Sequence, residues 1–473
     1  MTPTETAKRS SRPRRVKHNV AVIIIHGIGE QKPMETLRGF ADAVLPEPQA
    51  GGERYFSKPD PLSELFELRR LQNRNWPQVH LFEYYWAYKV EGTKIGDILG
   101  WMKTLLLRSP GKVPGQLLPL WVISWLLAVT AVGAAGLGWF GRVASATVNS
   151  PTAWVSLVSA ALFAAIQWFV LYYIGDAARY LSATPHNIKL RHDIRADGIQ
   201  LLRKIQKEGK YHRVIMVGHS LGSVVAYDIL RHVWQECKEV YLQPKKSSQP
   251  ALQRLEELGE ALRSGSLGGN LPAYMDAQVN LWKELRQLGY PWLVTDLITM
   301  GSPLAHAAML LASDEENLRL RQRQRELPTN PPVTEVDADS GRTVYSYEVW
   351  TKYGEKKDIP LRSLHDAALF ACTRWTNLYF PAALNVFGDI VGGPLQKVFG
   401  AGIRDVRVDT GRGLSDKTLL AHTSYWSQTS ASRAGKGSSR PSLEALIQAL
   451  DLNNESYYGP PTEPAAAKAG AKE

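Results

Sequence analysis

Cysteine is nearly absent: the 473-residue chain carries only Cys237 and Cys372. Two thiols so far apart build no disulfide framework, and no Cys/His cluster with metal-ligand spacing accompanies them. The sequence calls for neither a metal nor a cofactor. The first twenty residues lack the apolar centre of a secretory signal. Acidic residues are in deficit, with 45 Asp+Glu against 56 Lys+Arg and a formal charge of +11. Much of the excess lies in an N-terminal arm (Lys8, Arg9, Arg12, Arg14, Arg15, Lys17) and in short runs beside apolar segments. No nucleic-acid-binding module is present, so no nucleic acid is expected as a partner. Basic flanks beside apolar runs suit an anionic membrane surface.

Charge is missing altogether from two stretches, Leu117 to Phe140 and Ala153 to Ile174. Each is long enough to cross a hydrocarbon core of about 30 Å. Trp121, Trp125, Trp139, Trp154, Trp168, Tyr172 and Tyr173 gather mostly towards their ends, as interfacial aromatics do. The loop between them has one charge, Arg142, whereas the outer flanks carry Lys103, Arg108, Lys112, Arg179, Lys189 and Arg191. The positive-inside rule then puts both flanks and both termini in the cytoplasm and the loop outside. A transmembrane hairpin at 117–174 is expected, with the lipid bilayer as partner. A buried helical hairpin in a soluble protein is the alternative. The amphipathic stretch Gly92 to Arg108 suits either an interfacial helix or an ordinary surface helix.

The most specific signal is Gly218-His219-Ser220-Leu221-Gly222. Gly-x-Ser-x-Gly recurs by chance, so context decides. Here it follows the apolar run Val214 to Val217 and precedes a helical run, Ser223 to Leu230. Strand, sharp turn and helix make a nucleophile elbow, with glycines where the turn has no room for side chains. Ser220 is the expected nucleophile, against the reading of a plain strand-to-helix turn. A serine hydroxyl needs a base, usually a histidine oriented by a carboxylate. In this architecture the partners follow in the order Ser, Asp/Glu, His. His232, His306, His365 and His422 lie downstream. His232 sits in the elbow helix, His306 follows Gly301-Ser302-Pro303, and His365 falls in a helical-looking SLHDAALFA. His422, after the last strand, is the expected base. Asp389, ahead of Ile390-Val391-Gly392-Gly393-Pro394, is the expected acid, with Asp405 and Asp409 as rivals. Asp296 reads as inside a strand and Asp366 as inside a helix. Acyl transfer also needs backbone N–H donors for its oxyanion. Leu221 supplies one, and the Gly27–Ile28 region after the first buried strand supplies the other. His26 reads as a turn-stabilising residue rather than a metal ligand.

These elements predict an α/β fold: a mostly parallel sheet flanked by helices, with an inserted hairpin and a helical, lid-like insertion. The expected organisation is a basic arm at 1–18 and one domain over 19–459. The domain is interrupted by the hairpin at 117–174 and by the charged helical insertion at 237–289, which is suited to roofing the site. A disordered tail occupies 460–473. The basic run Leu318 to Glu326 reads as a solvated helix face or a headgroup contact.

HGIGEQ after a strand, GHSLGSVVAYD, TMGSPL, WTNLY followed by FGDIVGGPL, and AHTSYW together resemble the α/β-hydrolase superfamily. The resemblance is to its lipase-like branch, near the DDHD-type and related phospholipases and their bacterial relatives. It covers nearly the whole soluble part and implies a serine ester hydrolase acting on lipid, without naming the lipid. This chain has Asp389-Ile390-Val391 where many such relatives have Asp-Pro-Val. The hairpin is no part of the common fold. A catalytically inactive membrane scaffold and an acyltransferase with the same triad are the competing readings.

Overall fold

The computed structural model describes residues 19–27, 32–47, 52–63, 65–73, 77–89, 107, 109–113, 118, 121–130, 132–133, 154, 157–159, 161–162, 180, 185–237, 249–266, 270–338, 340–353, 356–381, 388–409, 419–426 and 441–458. The basic arm, most of 92–108 and of 117–174, the tail and Ile28 lie outside the described residues. Among the described residues no helix is long and apolar enough to cross a membrane.

The chain opens with strand β1 (Asn19–Ile25) and helix α1 (Glu35–Val44). Three strands follow, β2 (Phe56–Pro59), β3 (Arg69–Gln72) and β4 (Gln78–Tyr84). Next come α2 (Pro185–Lys207), β5 (Tyr211–His219) and α3 (Leu221–Cys237). Helices α4 (Pro250–Ser264) and α5 (Leu271–Gln287) lead to β6 (Val294–Met300) and α6 (Glu315–Arg323). Two antiparallel hairpins, β7–β8 (Glu335–Val336, Thr343–Val344) and β9–β10 (Ser346–Tyr353, Lys356–Leu364), precede β11 (Arg374–Tyr379). Strand β12 (Arg404–Arg407) and α7 (Pro441–Leu450) complete the set.

Eight strands form one sheet in the order β12-β11-β6-β5-β1-β4-β3-β2. The six from β12 to β4 run parallel, and β3 and β2 add an antiparallel edge. The protein is thus α/β, with a mostly parallel sheet flanked by helices. Central parallel strands are covered on both faces, so they read as continuous apolar runs. Period-two alternation then sorts their side chains into two layers. Ala21, Ile23, Ile25, Val214 and Met216 pack with Leu202, Val225, Leu230 and Trp282 from α2, α3 and α5. Val20, Val22, Ile24, Ile215 and Val217 face the other way, with Leu37 and Phe40 of α1 and Leu446 and Leu450 of α7.

The connections leave β1 and β5 in opposite directions. From β1 the chain moves outward to β4, and from β5 it moves to β6 on the other side. The β1/β5 gap is therefore a switch point, where the loops at the strand C-termini diverge and leave a crevice.

Two expectations need correction. Helix α5 of the insertion does not roof the strand C-termini: it packs at the opposite end of the sheet. Its Trp282 donates Nε1–H to Trp292 O just before β6 and meets His212 and Tyr457, while Gln278 bonds Phe370 O and Thr373 O ahead of β11. Its apolar face was needed for the core layer, which holds it down. SLHDAALFA is not a helix: β10 runs to Leu364, and a turn and a 3-10 segment (Leu369–Ala371) follow. Antiparallel pairing claims Ser363 and Leu364, and burial of Ala367, Ala368 and Ala371 in the turn and 3-10 segment overrides the helix propensity of alanine. The run Leu318 to Glu326 keeps an exposed face through Leu320, Arg323, Gln324 and Glu326, while Arg319 bonds Val398 O and Lys397 O and Arg321 and Arg325 make surface pairs with Glu326 and Glu335.

Candidate active site

The turn after β5 carries Ser220 at φ 51°, a left-handed backbone unusual outside glycine. The strain is held by hydrogen bonds on both sides: Ser220 N–H donates to Met300 O (2.9 Å), and Ser223 N–H and Oγ–H both donate to Ser220 O (3.0 and 2.6 Å). The Ser223 proton is thereby committed, and the Ser302 hydroxyl donates to Ser223 Oγ (2.6 Å) while accepting Leu304 N–H (3.3 Å). Ser302, from the strand-end TMGSPL, thus pins the elbow to the β6 loop.

Close approach explains the glycines. A Cβ on Gly222 would lie 2.2 Å from Ile25 O, and one on Gly218 would lie 2.5 Å from Ser223 Cα. A Cβ on Gly27 would lie 2.7 Å from Ser220 Cβ. The loop after β1 therefore presses directly on the serine, and Leu221 follows Ser220 as the first residue of α3. Ile28 lies outside the described residues.

His26 anchors that loop. Its Nδ1 lies 2.7 Å from Gly27 O, and its Nε2 accepts Trp86 N–H at 3.2 Å. A carbonyl only accepts, so Nδ1 carries the proton and the ring is neutral. Burial drives its pKa down to about 4, against the raising effect of the Gly27 bond. The ring stacks on Trp86 at 5.2 Å, and Trp86 Nε1–H donates to His26 O.

Asp389 and His422, 33 residues apart, meet at 2.9 Å between Oδ1 and Nδ1, both buried. Asp389 Oδ1 also accepts Val391 N–H and Gly392 N–H (2.9 Å each), and Oδ2 accepts Tyr425 O–H (2.8 Å). Burial alone would raise this carboxyl, but the imidazole beside it and these donors hold it down to about 2. Gly301, at φ 56°, forms the floor of the pair: a Cβ there would lie 2.9 Å from Asp389 Oδ2 and from His422 Nδ1. With Nδ1 turned to a carboxylate, Nε2 is the ring nitrogen suited to take a proton. The pair belongs to the same strand-end cluster as the serine: Gly301 follows the residue that accepts Ser220 N–H, and His219 Nε2 lies 2.8 Å from His422 O.

The carboxylates of Asp405 and Asp296 are occupied elsewhere. Asp405 accepts Leu395 N–H, Gln396 N–H and Asn377 Nδ2–H. Asp296 pairs with Arg374 (2.8 Å) and the buried Arg213 (3.6 Å). Asp409 accepts Ser442 N–H on its backbone carbonyl, and Asp366 accepts Gln235 Nε2–H on its own. His365 lies 2.7 Å from Val333 O, and His306 lies 3.0 Å from Ile390 O, where it braces the Asp389 loop. His232 is in α3, beyond the elbow. Among the described residues no group of His, Cys, Asp and Glu could hold a metal ion.

Sequence reasoning did not single out Gly301, Ser302, Tyr425 or His219. TMGSPL at a strand end was a usable signal for the first two. Tyr425 lies within AHTSYW, but nothing in that motif marks it as a partner of the acid. Set against protein-family models, curated proteins and solved structures, the chain matches none.

Proposed function

We propose that this chain is a serine ester hydrolase of the α/β-hydrolase type, anchored to a membrane and acting on lipid esters. The observation that carries the reading is Ser220, strained at the switch point of the sheet, in one strand-end cluster with the buried Asp389–His422 pair. His422 Nε2 takes the proton as Ser220 Oγ attacks the acyl carbonyl. Leu221 N–H and the Gly27–Ile28 backbone receive the oxyanion. His422 returns the proton to the leaving alcohol, and water then repeats the sequence on the acyl-enzyme. Asp389 stays ionised throughout and holds the imidazole in register.

The membrane part rests on the two uncharged stretches and on what their described residues expose. Val122, Trp125, Leu126, Val129 and Val132 stand 37–73 % exposed at helical spacing, as do Trp154, Leu157, Val158 and Leu162 at 51–61 %. Such apolar stripes need a cover, and lipid is the cover that uncharged spans with basic flanks select. Thr130 returns its hydroxyl to Leu126 O at 2.7 Å, which satisfies it without water. Both termini and the catalytic body then lie on the cytoplasmic side.

Fluorophosphonate labelling of wild type and Ser220→Ala tests the chemistry: wild type labels and the variant does not. Equal labelling of both refutes Ser220, and no labelling of either leaves the inactive-scaffold reading. Mixed-micelle assays then compare phospholipids, acylglycerols and short soluble esters. Highest rates on soluble esters, unchanged by deletion of 117–174, would refute the lipid reading. Transfer to an added alcohol in place of water would favour the acyltransferase. Release by carbonate without detergent, or a Ser145→Cys thiol that impermeant reagents cannot reach from outside intact cells, would refute the topology.

A further inference from the structure

His219 is the residue between Gly218 and the nucleophile, and the reaction as written gives it no part. It is the last residue of β5, and its ring is part-buried between two loops. On one side Nε2 lies 2.8 Å from the backbone carbonyl of His422. On the other, a Cβ on Gly27 would lie 3.3 Å from His219 Nδ1. The ring packs edge-on against Trp426 (4.9 Å) and Tyr425 (5.7 Å), and its centroid is 5.1 Å from that of His422. Trp426 in turn sits against Phe40 of α1.

The base is carried by a short 3-10 segment, Leu419–Thr423. The carbonyls at the end of such a segment have no partner within it, and a buried one must find a donor elsewhere. For His422 O that donor is His219. A carbonyl only accepts, so Nε2 bears the proton. Burial pushes the His219 pKa down to about 3, so the ring is neutral at any working pH and holds one tautomer.

We propose that His219 is a positioning residue for the base: its Nε2–H holds the His422 carbonyl and sets the segment that aims the His422 ring at Ser220. One side chain thereby ties the nucleophile turn to the base. The inference rests on the serine-hydrolase reading.

The test uses the full-length protein in detergent micelles and two variants. His219→Phe keeps a ring of similar size for Trp426 and Tyr425 but removes the donor. His219→Gln places an amide N–H near the former Nε2. The expected result for His219→Phe is kcat lowered about 10–100-fold, the scale of a misplaced catalytic group, with KM within about twofold. His219→Gln is expected to recover most of the loss, and fluorophosphonate labelling rates are expected to follow kcat. Wild-type kcat in His219→Phe overturns the proposal. Equal loss in both variants, or failure of both to melt cooperatively, also overturns it by making the residue a packing element. These outcomes, with wild type labelled at Ser220, leave the hydrolase reading standing; an unlabelled wild type removes both.

Discussion

Tyr425→Phe is the sharpest test of how Asp389 is held. The carboxylate is completely buried and accepts four hydrogen bonds, three on Oδ1 and one, from Tyr425, on Oδ2. Of these four the substitution removes only the last; it also takes away the acceptor of Phe380 N–H (3.3 Å) and keeps the ring that packs on Phe380 at 4.8 Å. A hydrogen bond to a charged group contributes about 1.5–3 kcal/mol. At 1.36 kcal/mol per pKa unit, losing it lifts the Asp389 carboxyl from about 2 to no more than about 4. Asp389 therefore stays ionised at neutral pH, and His422 keeps its orienting partner. Turnover is expected to fall by about 3–30-fold, with an unchanged pH–rate profile between pH 6 and 9. Asp389→Asn is a different perturbation: the amide presents the imidazole with the wrong hydrogen-bonding group, and about 10³–10⁴-fold is lost. The assay is ester hydrolysis in mixed micelles across that pH range, with melting curves as the folding control. If Tyr425→Phe were as inactive as Asp389→Asn, or if Asp389→Asn kept wild-type turnover, the assigned roles would be wrong.

Gly222→Ala forces a methyl into Ile25 O and is expected to lower stability by about 1–3 kcal/mol and abolish labelling; a wild-type melt would contradict the packing of the elbow. Asp296→Ala leaves the fully buried Arg213 without its carboxylate, held only by Asp451 O, Leu450 O and the Tyr457 ring, and should cost about 3–5 kcal/mol, while Ser220 labelling well below the melt is retained. Loss of labelling without loss of stability would show that this cluster serves the site. His26 is neutral when folded and has a pKa near 4 instead of 6.5, so the unfolded chain binds the extra proton. Its stabilisation is full above pH 6.5 and falls by up to about 3 kcal/mol as pH drops towards 4. Glu83 and Glu284, raised by burial to about 7, act oppositely over part of that window, so the readout is the difference in melting between wild type and His26→Gln at pH 7.5 and 5. An identical pH dependence would refute the assignment.

The elbow was legible because its requirements are local. A buried strand, a turn too tight for Cβ atoms and a helix leave their marks within a dozen residues. The apolar runs of β1, β5 and β6 likewise announce parallel strands covered on both faces. Strand order was not legible, since nothing local says that β4 pairs beside β1 while β5 lies on its other side. That order creates the switch point and brings Gly27 against Ser220. The Asp389–His422 approach depends on packing across 33 residues, so sequence ranked the candidates without deciding among them. Asp296 was already set aside as lying within a strand, but only the fold removed Asp405, because its partner Asn377 comes from the neighbouring strand β11. The sequence marked the region of α5 as helical but not which end of the sheet it covers. Residue type and short-range pattern determined the chemistry this protein has at hand. Long-range pairing decided where that chemistry is assembled, because a hydrogen bond between distant segments leaves no trace in either segment alone.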